Sequence, residues 1–165
     1  MDDLQDRIES LSREFVRLAT ECGATFATAE SCTAGMIASR VADVPGASSV
    51  LKGGAVTYCD QIKRDVLGVS GKTLLDHSAV SAECALEMAQ RARCLFGSTV
   101  AVSATGYAGP GGGTPSDPAG TVYIGVCGPH GTHCERFRFT GTRDEVRERA
   151  VAEALRMALG TVSSM

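Results

Sequence analysis

Apolar residues recur along the first 22 positions at steps of four and three, at Leu4, Ile8, Leu11, Phe15, Leu18 and Cys22. That spacing is one stripe of a helix, and Gly23 supplies a residue suited to ending it. The next run, "ATFATA", reads as a short buried strand, and residues from about 33 to 43 return to helical spacing and stop before Pro45. A second strand, with glycines in it, is predicted in "SSVLKGGAVTYC", and "DQIKRDVLGV" then supplies a short helix with Lys63 in its first turns. The segment "AVSAECALEMAQRARCLFGS" predicts a longer helix, capped by Ser81, carrying Leu86, Ala89 and Leu95 on one side and closing at Gly97. "TVAVSAT" is the most strand-like run of the chain, and "GTVYIGVC" with "HCERFRFT" reads as an antiparallel pair joined at "GPHGT". The last helix opens at Thr142, with Glu145 in the spacing of a capping box, and runs to about Leu159.

Helices alternate with strands, and a hairpin is added late. The pattern predicts an α/β fold, a three-layer α/β/α sandwich on a mixed, mainly parallel sheet with an antiparallel hairpin near the C-terminus. No internal repeat, low-complexity stretch or linker interrupts the chain, so residues 1–165 are expected to form a single domain.

Composition narrows the function. With 44% hydrophobic residues and no apolar run near the roughly 18 residues that a membrane span requires, the chain is expected to be soluble, without a membrane partner. The start, "MDDLQDRIES", is acidic where a signal peptide is basic and then apolar, which points to the cytoplasm. A net charge of −3 without Lys/Arg runs offers no footprint for a phosphate backbone, so nucleic acid is not expected as a partner. The seven cysteines are odd in number and include no CxxC pair, which suits small core residues in a reducing compartment. "HGTHC" contains His130, His133 and Cys134 at short spacing, but it reads better as a hairpin turn than as a metal site.

The chemistry gathers in four segments. Ser31, in "AESCTAG", lies where a strand hands over to a helix, a place where free backbone amides suit an oxyanion. Ser31 or Thr33 can cap the helix there, or Ser31 can act as a nucleophile, although the G-x-S-x-G elbow pattern is absent. A nucleophile needs a base, and among the three histidines only His77 lies outside the predicted hairpin turn. The alternative base is Lys63, a lysine at a strand-to-helix crossing five residues after Tyr58, because burial can favour the neutral amine. The segment "ATGYAGPGGGTPSDPAGT" packs six glycines and three prolines between two strands, which lets amides approach an anion. It is neither a Walker loop nor a dinucleotide fingerprint. Arg143 and Arg147 lie four apart at the start of the last helix, either on a solvated face or as a clamp for phosphate or carboxylate.

Taken together, "TAESCTAG", "GGAVTYCDQIKRDVLGV", "SAVSAE", "ATGYAGPGGGTPSDPAGTVYIGV" and "FTGTRDEVR" resemble the CinA C-terminal domain family, in its order and at its spacing, from about residue 8 to residue 160. Stand-alone members of that family act as nicotinamide-nucleotide amidohydrolases. The resemblance implies hydrolysis of the carboxamide of nicotinamide mononucleotide to nicotinic acid mononucleotide and ammonia, by a serine/lysine mechanism without metal or cofactor. It implies Ser31 as nucleophile, Lys63 as its base, and Tyr58 as a neighbour that relays or orients the proton. The small-molecule nucleotide would be held by the segment at Glu30, Cys32 and Thr33, by the loop around Thr105, Gly106, Gly109, Gly111 and Gly112, and by Arg143 or Arg147. Self-association into a homo-oligomer is also implied. The sequence departs from the family at Ala34, Cys59, Asp60 and Thr142, and the charge of Asp60 is expected to favour the protonated form of Lys63. Two other readings follow from the same residues: a nucleotide-binding or regulatory module without turnover, and a mechanism in which Cys32 is the nucleophile.

Overall fold

A computed structural model describes residues 2–165. Five strands form one mixed sheet in the order β2-β1-β3-β4-β5. In chain order they are β1 (Phe26–Glu30), β2 (Leu51–Val56), β3 (Val100–Gly106), β4 (Thr121–Gly128) and β5 (Gly131–Arg138). β1 pairs in parallel with β2 and β3, whereas β3–β4 and β4–β5 are antiparallel. The α/β class, the mixed sheet and the late hairpin are as the sequence pattern predicts. Six α-helices among the described residues flank the sheet: α1 (Asp2–Cys22), α2 (Met36–Ala42), α3 (Asp60–Asp65), α4 (Gly71–His77), α5 (Ala82–Phe96) and α6 (Arg143–Ser163).

Side chains alternate along each strand, so the sheet has two differently built faces. Phe26, Val100, Val102, Ala104, Val122, Ile124 and Val126 meet α1, α2 and α6 in the larger core. There Phe15 of α1 packs edge-on against Phe26, with ring centroids 4.8 Å apart. Burying each such ring contributes about 1.5–3 kcal/mol. The opposite face presents small residues, Ala27, Ala29 and Ala101, to Met88 and Ala92 of α5. Small residues let α5 come close: the Ser103 hydroxyl donates to the Ala85 carbonyl at 2.5 Å, and a Cβ on Gly125 would lie 2.5 Å from that same carbonyl oxygen.

Ser81 caps α5 by accepting from the Cys84 amide, and Gly97 closes the helix with φ +58°. Thr142 and Glu145 form both bonds of the predicted capping box. Other expectations need correction. The helix expected from about residue 33 begins at Met36, because Ser31–Gly35 fold into a turn. α4 is not marked by any apolar stripe and was not expected; none of its residues is buried. The last helix runs four residues past Leu159. Ala89 is buried as expected, but Leu95 is exposed, since the buried face of α5 is completed by Cys84, Ala85, Met88 and Ala92. Cys22 is also exposed, and the seam of α1 is completed by Ser12, Val16 and Ala19. Among the described residues no helix is long and apolar enough to cross a membrane.

Candidate active site

The chain leaves β1 through α2 to β2 on one side, and reaches β3 on the other side through α5. Strand order therefore reverses at β1, and in such sheets a crevice opens beyond the carboxyl ends of the strands at that point. Two backbone bonds define its floor: Ser31 N–H donates to the Ala104 carbonyl at 2.9 Å, and Thr57 N–H donates to the Glu30 carbonyl at 2.8 Å. Above them lies a cleft of about 420 Å³.

Ser31 and Lys63 meet in its wall. Lys63 comes from α3, and the residue is only 2% exposed. Its Nζ lies 3.0 Å from Ser31 Oγ and donates to the Thr57 carbonyl at 2.8 Å. Burial pushes the Lys63 amine below its usual 10.5; Cys84 and Asp60 pull the other way, but burial dominates. Among the described residues no carboxylate bonds directly to Nζ, so the ammonium form lacks an ion-pair partner in contact with it. The pair thus has the geometry and the electrostatics of a hydroxyl beside a base.

Ser31 does not cap α2, and neither does Thr33. The fully buried Glu30 does so from the last position of β1: its carboxyl oxygens accept from the amides of Gly35 at 2.9 Å, Ile37 at 3.1 Å and Ala38 at 3.0 Å. Glu30 thereby shapes the turn from behind and does not line the cleft. Cys32 does line it, but burial pushes its thiol up to about 11. A thiol that holds its proton so firmly is a poor nucleophile. Thr33 is buried beneath the turn, away from the cleft.

The glycine segment forms the opposite wall. Thr105 is pinned by its hydroxyl to the Ala79 carbonyl at 2.6 Å. A Cβ on Gly106 would lie 2.5 Å from the Thr121 carbonyl oxygen and 2.8 Å from Val122 Cα, so only glycine fits. Gly109 and Gly111 line the cleft, whereas Gly112 does not. The amides of Ala108, Gly109 and Gly111 donate to no backbone acceptor among the described residues. The tip of the loop is anchored away from the cleft by Asp117, which accepts from Tyr123 Oη and Arg136 Nε, both at 2.9 Å.

The two arginines separate. Arg143 lines the cleft and donates to the Gly109 carbonyl at 2.8 Å and to Tyr58 Oη at 2.9 Å. Arg147 does not line it. Tyr58 is 57% exposed at the rim, where its hydroxyl bonds to Arg143 and not to Ser31 or Lys63. His77 sits at the end of α4 with Nδ1 3.6 Å from Glu83, and it too is absent from the cleft. On β5, His133 and Cys134 are adjacent and so point to opposite faces, which separates the "HGTHC" side chains. The sequence reading missed Ser78, Ala79 and Val80, which close the cleft from the entry to α5, and the Thr57 carbonyl. Their contributions come from backbone and position, which leave no composition signal; the "SAVSAE" segment was visible only as part of the family pattern.

Residues 8–162 match the CinA C-terminal domain family, and the chain belongs to it. It is 51% identical over 136 residues to a CinA-like protein of Myxococcus xanthus, covering 82% of this chain and 32% of that protein. To a CinA-like protein of Thermotoga maritima it is 45% identical over 147 residues, 89% of this chain and 36% of the relative. The chain therefore spans about a third of the length of these relatives. Among solved structures, the competence/damage inducible protein CihA of Agrobacterium tumefaciens superposes with a TM-score of 0.91 at 38% identity, covering 94% of this chain and 95% of that one. A CinA superfamily protein of Klebsiella pneumoniae does so with a TM-score of 0.91 at 34% identity, covering 96% and 99%.

Proposed function

We propose that this chain is an amidohydrolase that converts nicotinamide mononucleotide to nicotinic acid mononucleotide and ammonia, with Ser31 as nucleophile and Lys63 as base. The observation that carries the reading is the buried contact of 3.0 Å between Lys63 Nζ and Ser31 Oγ in the wall of a cleft with a glycine-rich rim. Ser31 Oγ attacks the carboxamide carbon while its proton passes to Lys63. The tetrahedral oxyanion then collapses: the C–N bond breaks, Lys63 returns the proton to the leaving nitrogen as ammonia departs, and an ester on Ser31 remains. Water attacks that ester with Lys63 again as base, releasing the carboxylic acid and regenerating Ser31. Arg143 and the free amides of the loop would meet the phosphate, and Tyr58 would orient Arg143 at the rim.

Ammonia release from nicotinamide mononucleotide tests this directly, comparing wild type with Lys63→Ala in the presence of EDTA. Turnover by wild type alone supports the reading, and equal turnover by both removes Lys63 from the mechanism. One observation favours a second reading, a nucleotide-binding module without turnover: Asp60 also lines the cleft and its charge favours the ammonium form of Lys63. Calorimetric binding of the mononucleotide with no ammonia from wild type would select it.

A further inference from the structure

Arg147 stands on the far side of the Ser31 turn from the cleft. Its Nε donates to the Cys32 carbonyl at 3.0 Å and its Nη2 to the Thr33 carbonyl at 3.3 Å, while Nη1 faces Asp144 at 3.7 Å. All three nitrogens are thus engaged within the protein. The carbonyl of Cys32 shares its peptide unit with the Thr33 amide. The carbonyl of Thr33 shares its unit with the Ala34 amide, which donates to the Ser31 carbonyl at 3.1 Å; the Ser31 carbonyl in turn shares its unit with the Cys32 amide. One guanidinium therefore sits one peptide unit from the Thr33 N–H and one hydrogen bond further from the Cys32 N–H. Neither of those amides has a backbone acceptor among the described residues. A cation on the carbonyl end of a peptide makes its N–H a stronger donor, and chains of hydrogen bonds carry that polarisation onward.

We propose that Arg147 is a positioning residue that fixes the Ser31 turn and polarises the Cys32 amide at the cleft, through the Thr33–Ala34 peptide unit and its hydrogen bond to the Ser31 carbonyl, for the oxyanion formed on attack by Ser31, and that it does not hold the substrate's phosphate. The proposal rests on the amidohydrolase reading, and only the labelling arm of its test is independent of that substrate. Oxyanion donors act most strongly when they are fixed in place before charge develops. The family pattern assigned the phosphate to Arg143 or Arg147; the geometry divides them, with Arg143 in the cleft and Arg147 behind the nucleophile.

The experiment compares Arg147→Met and Arg147→Lys with wild type on two substrates, nicotinamide mononucleotide and nicotinamide riboside, which carries the same carboxamide without the phosphate. Arg147→Met should lower kcat by about tenfold or more, a fraction of the loss on deleting an oxyanion donor outright. The fold-loss should be equal on both substrates, with KM for the mononucleotide nearly unchanged and partial recovery in Arg147→Lys. A loss confined to the mononucleotide and expressed in KM would overturn the proposal in favour of a phosphate ligand, as would unchanged kcat in both variants. Labelling of Ser31 by a fluorophosphonate supplies a readout that does not depend on the natural substrate: the Oγ–P bond forms as the hydroxyl proton passes to Lys63, the P–F bond breaks and fluoride leaves, and the phosphoryl oxygen occupies the oxyanion position. The labelling rate should fall in Arg147→Met by a factor similar to kcat, in protein whose melting shows it folded. If wild type labels but releases no ammonia, the substrate reading fails while the Arg147 proposal is still decided by the labelling rates. No labelling of wild type overturns both.

Discussion

Two serines stand at helix entrances on either side of the cleft. Ser81 accepts from the Cys84 amide at 3.1 Å, caps α5, and donates to the Ser78 carbonyl at 2.9 Å. Ser31 precedes α2 but makes no cap; its hydroxyl lies against Lys63. The difference originates one residue upstream. Alternation along β1 turns Glu30 toward α2 and Ser31 toward α3, so the carboxyl group of Glu30 meets the orphan amides of the helix. A serine becomes available for chemistry here because a neighbour satisfies the backbone in its place.

The comparison is broken most severely at Ser31 itself. Ser31→Ala should reduce ammonia release by roughly a thousandfold or more while leaving the melting temperature almost unchanged. A variant that keeps full activity would mean that Ser31 is a structural serine after all. Next in size is the effect of pH through Lys63. The amine must be neutral to accept the serine proton, so kcat/KM should rise with pH through a midpoint below the usual lysine value of 10.5 and then level off. Stability follows the same sign: between the depressed folded value and 10.5 the unfolded chain binds more protons, so stability rises with pH across that window. A pH–rate profile and pH-dependent melting check both, and Lys63→Met should remove this contribution to each.

Glu30→Gln should rank third. It replaces an acceptor of three amide bonds with a group that turns an NH₂ toward donors, a loss of about 2–3 kcal/mol read by denaturant melts, together with slower turnover as the Ser31 turn loosens. Ser81→Ala should cost about 1 kcal/mol, the loss of one helix cap, with little change in kcat. The reverse pattern, with Ser81→Ala inactive and Ser31→Ala merely unstable, would invert the assignment of the two serines. An effect of similar size and opposite sign concerns Ala34, which holds φ +50° in the same turn. Ala34→Gly should stabilise the protein by about 1 kcal/mol, because glycine adopts that conformation without the clash of a Cβ.

Much of this was legible in the residues. The period of four and three in α1, the Ser81 and Gly97 boundaries of α5, and the Thr142/Glu145 box are local patterns, and local hydrogen bonding realises them. α4 escaped because it buries no residue and so has no apolar stripe. Lys63 could be shortlisted as a base for Ser31 from its place at a strand-to-helix crossing, but with 32 positions between them the contact itself is set only by the fold. The roles of Arg143 and Arg147 were indistinguishable in sequence, where both lie in the first turns of one helix.

By itself, then, the sequence determined the alternation of helices and strands, the two helix caps it encodes locally, and the shortlist of polar residues around the glycine loop. Only the tertiary structure decided which of them act together. Parallel pairing of β1 with β2 and β3 brings the ends of three strands to one crevice, and burial there depresses the lysine. The carboxyl group of Glu30 at the end of β1 takes over the cap, and four positions along α6 separate an arginine in the cleft from one behind the turn. These outcomes depend on desolvation and on distances across the fold, which a linear pattern does not contain.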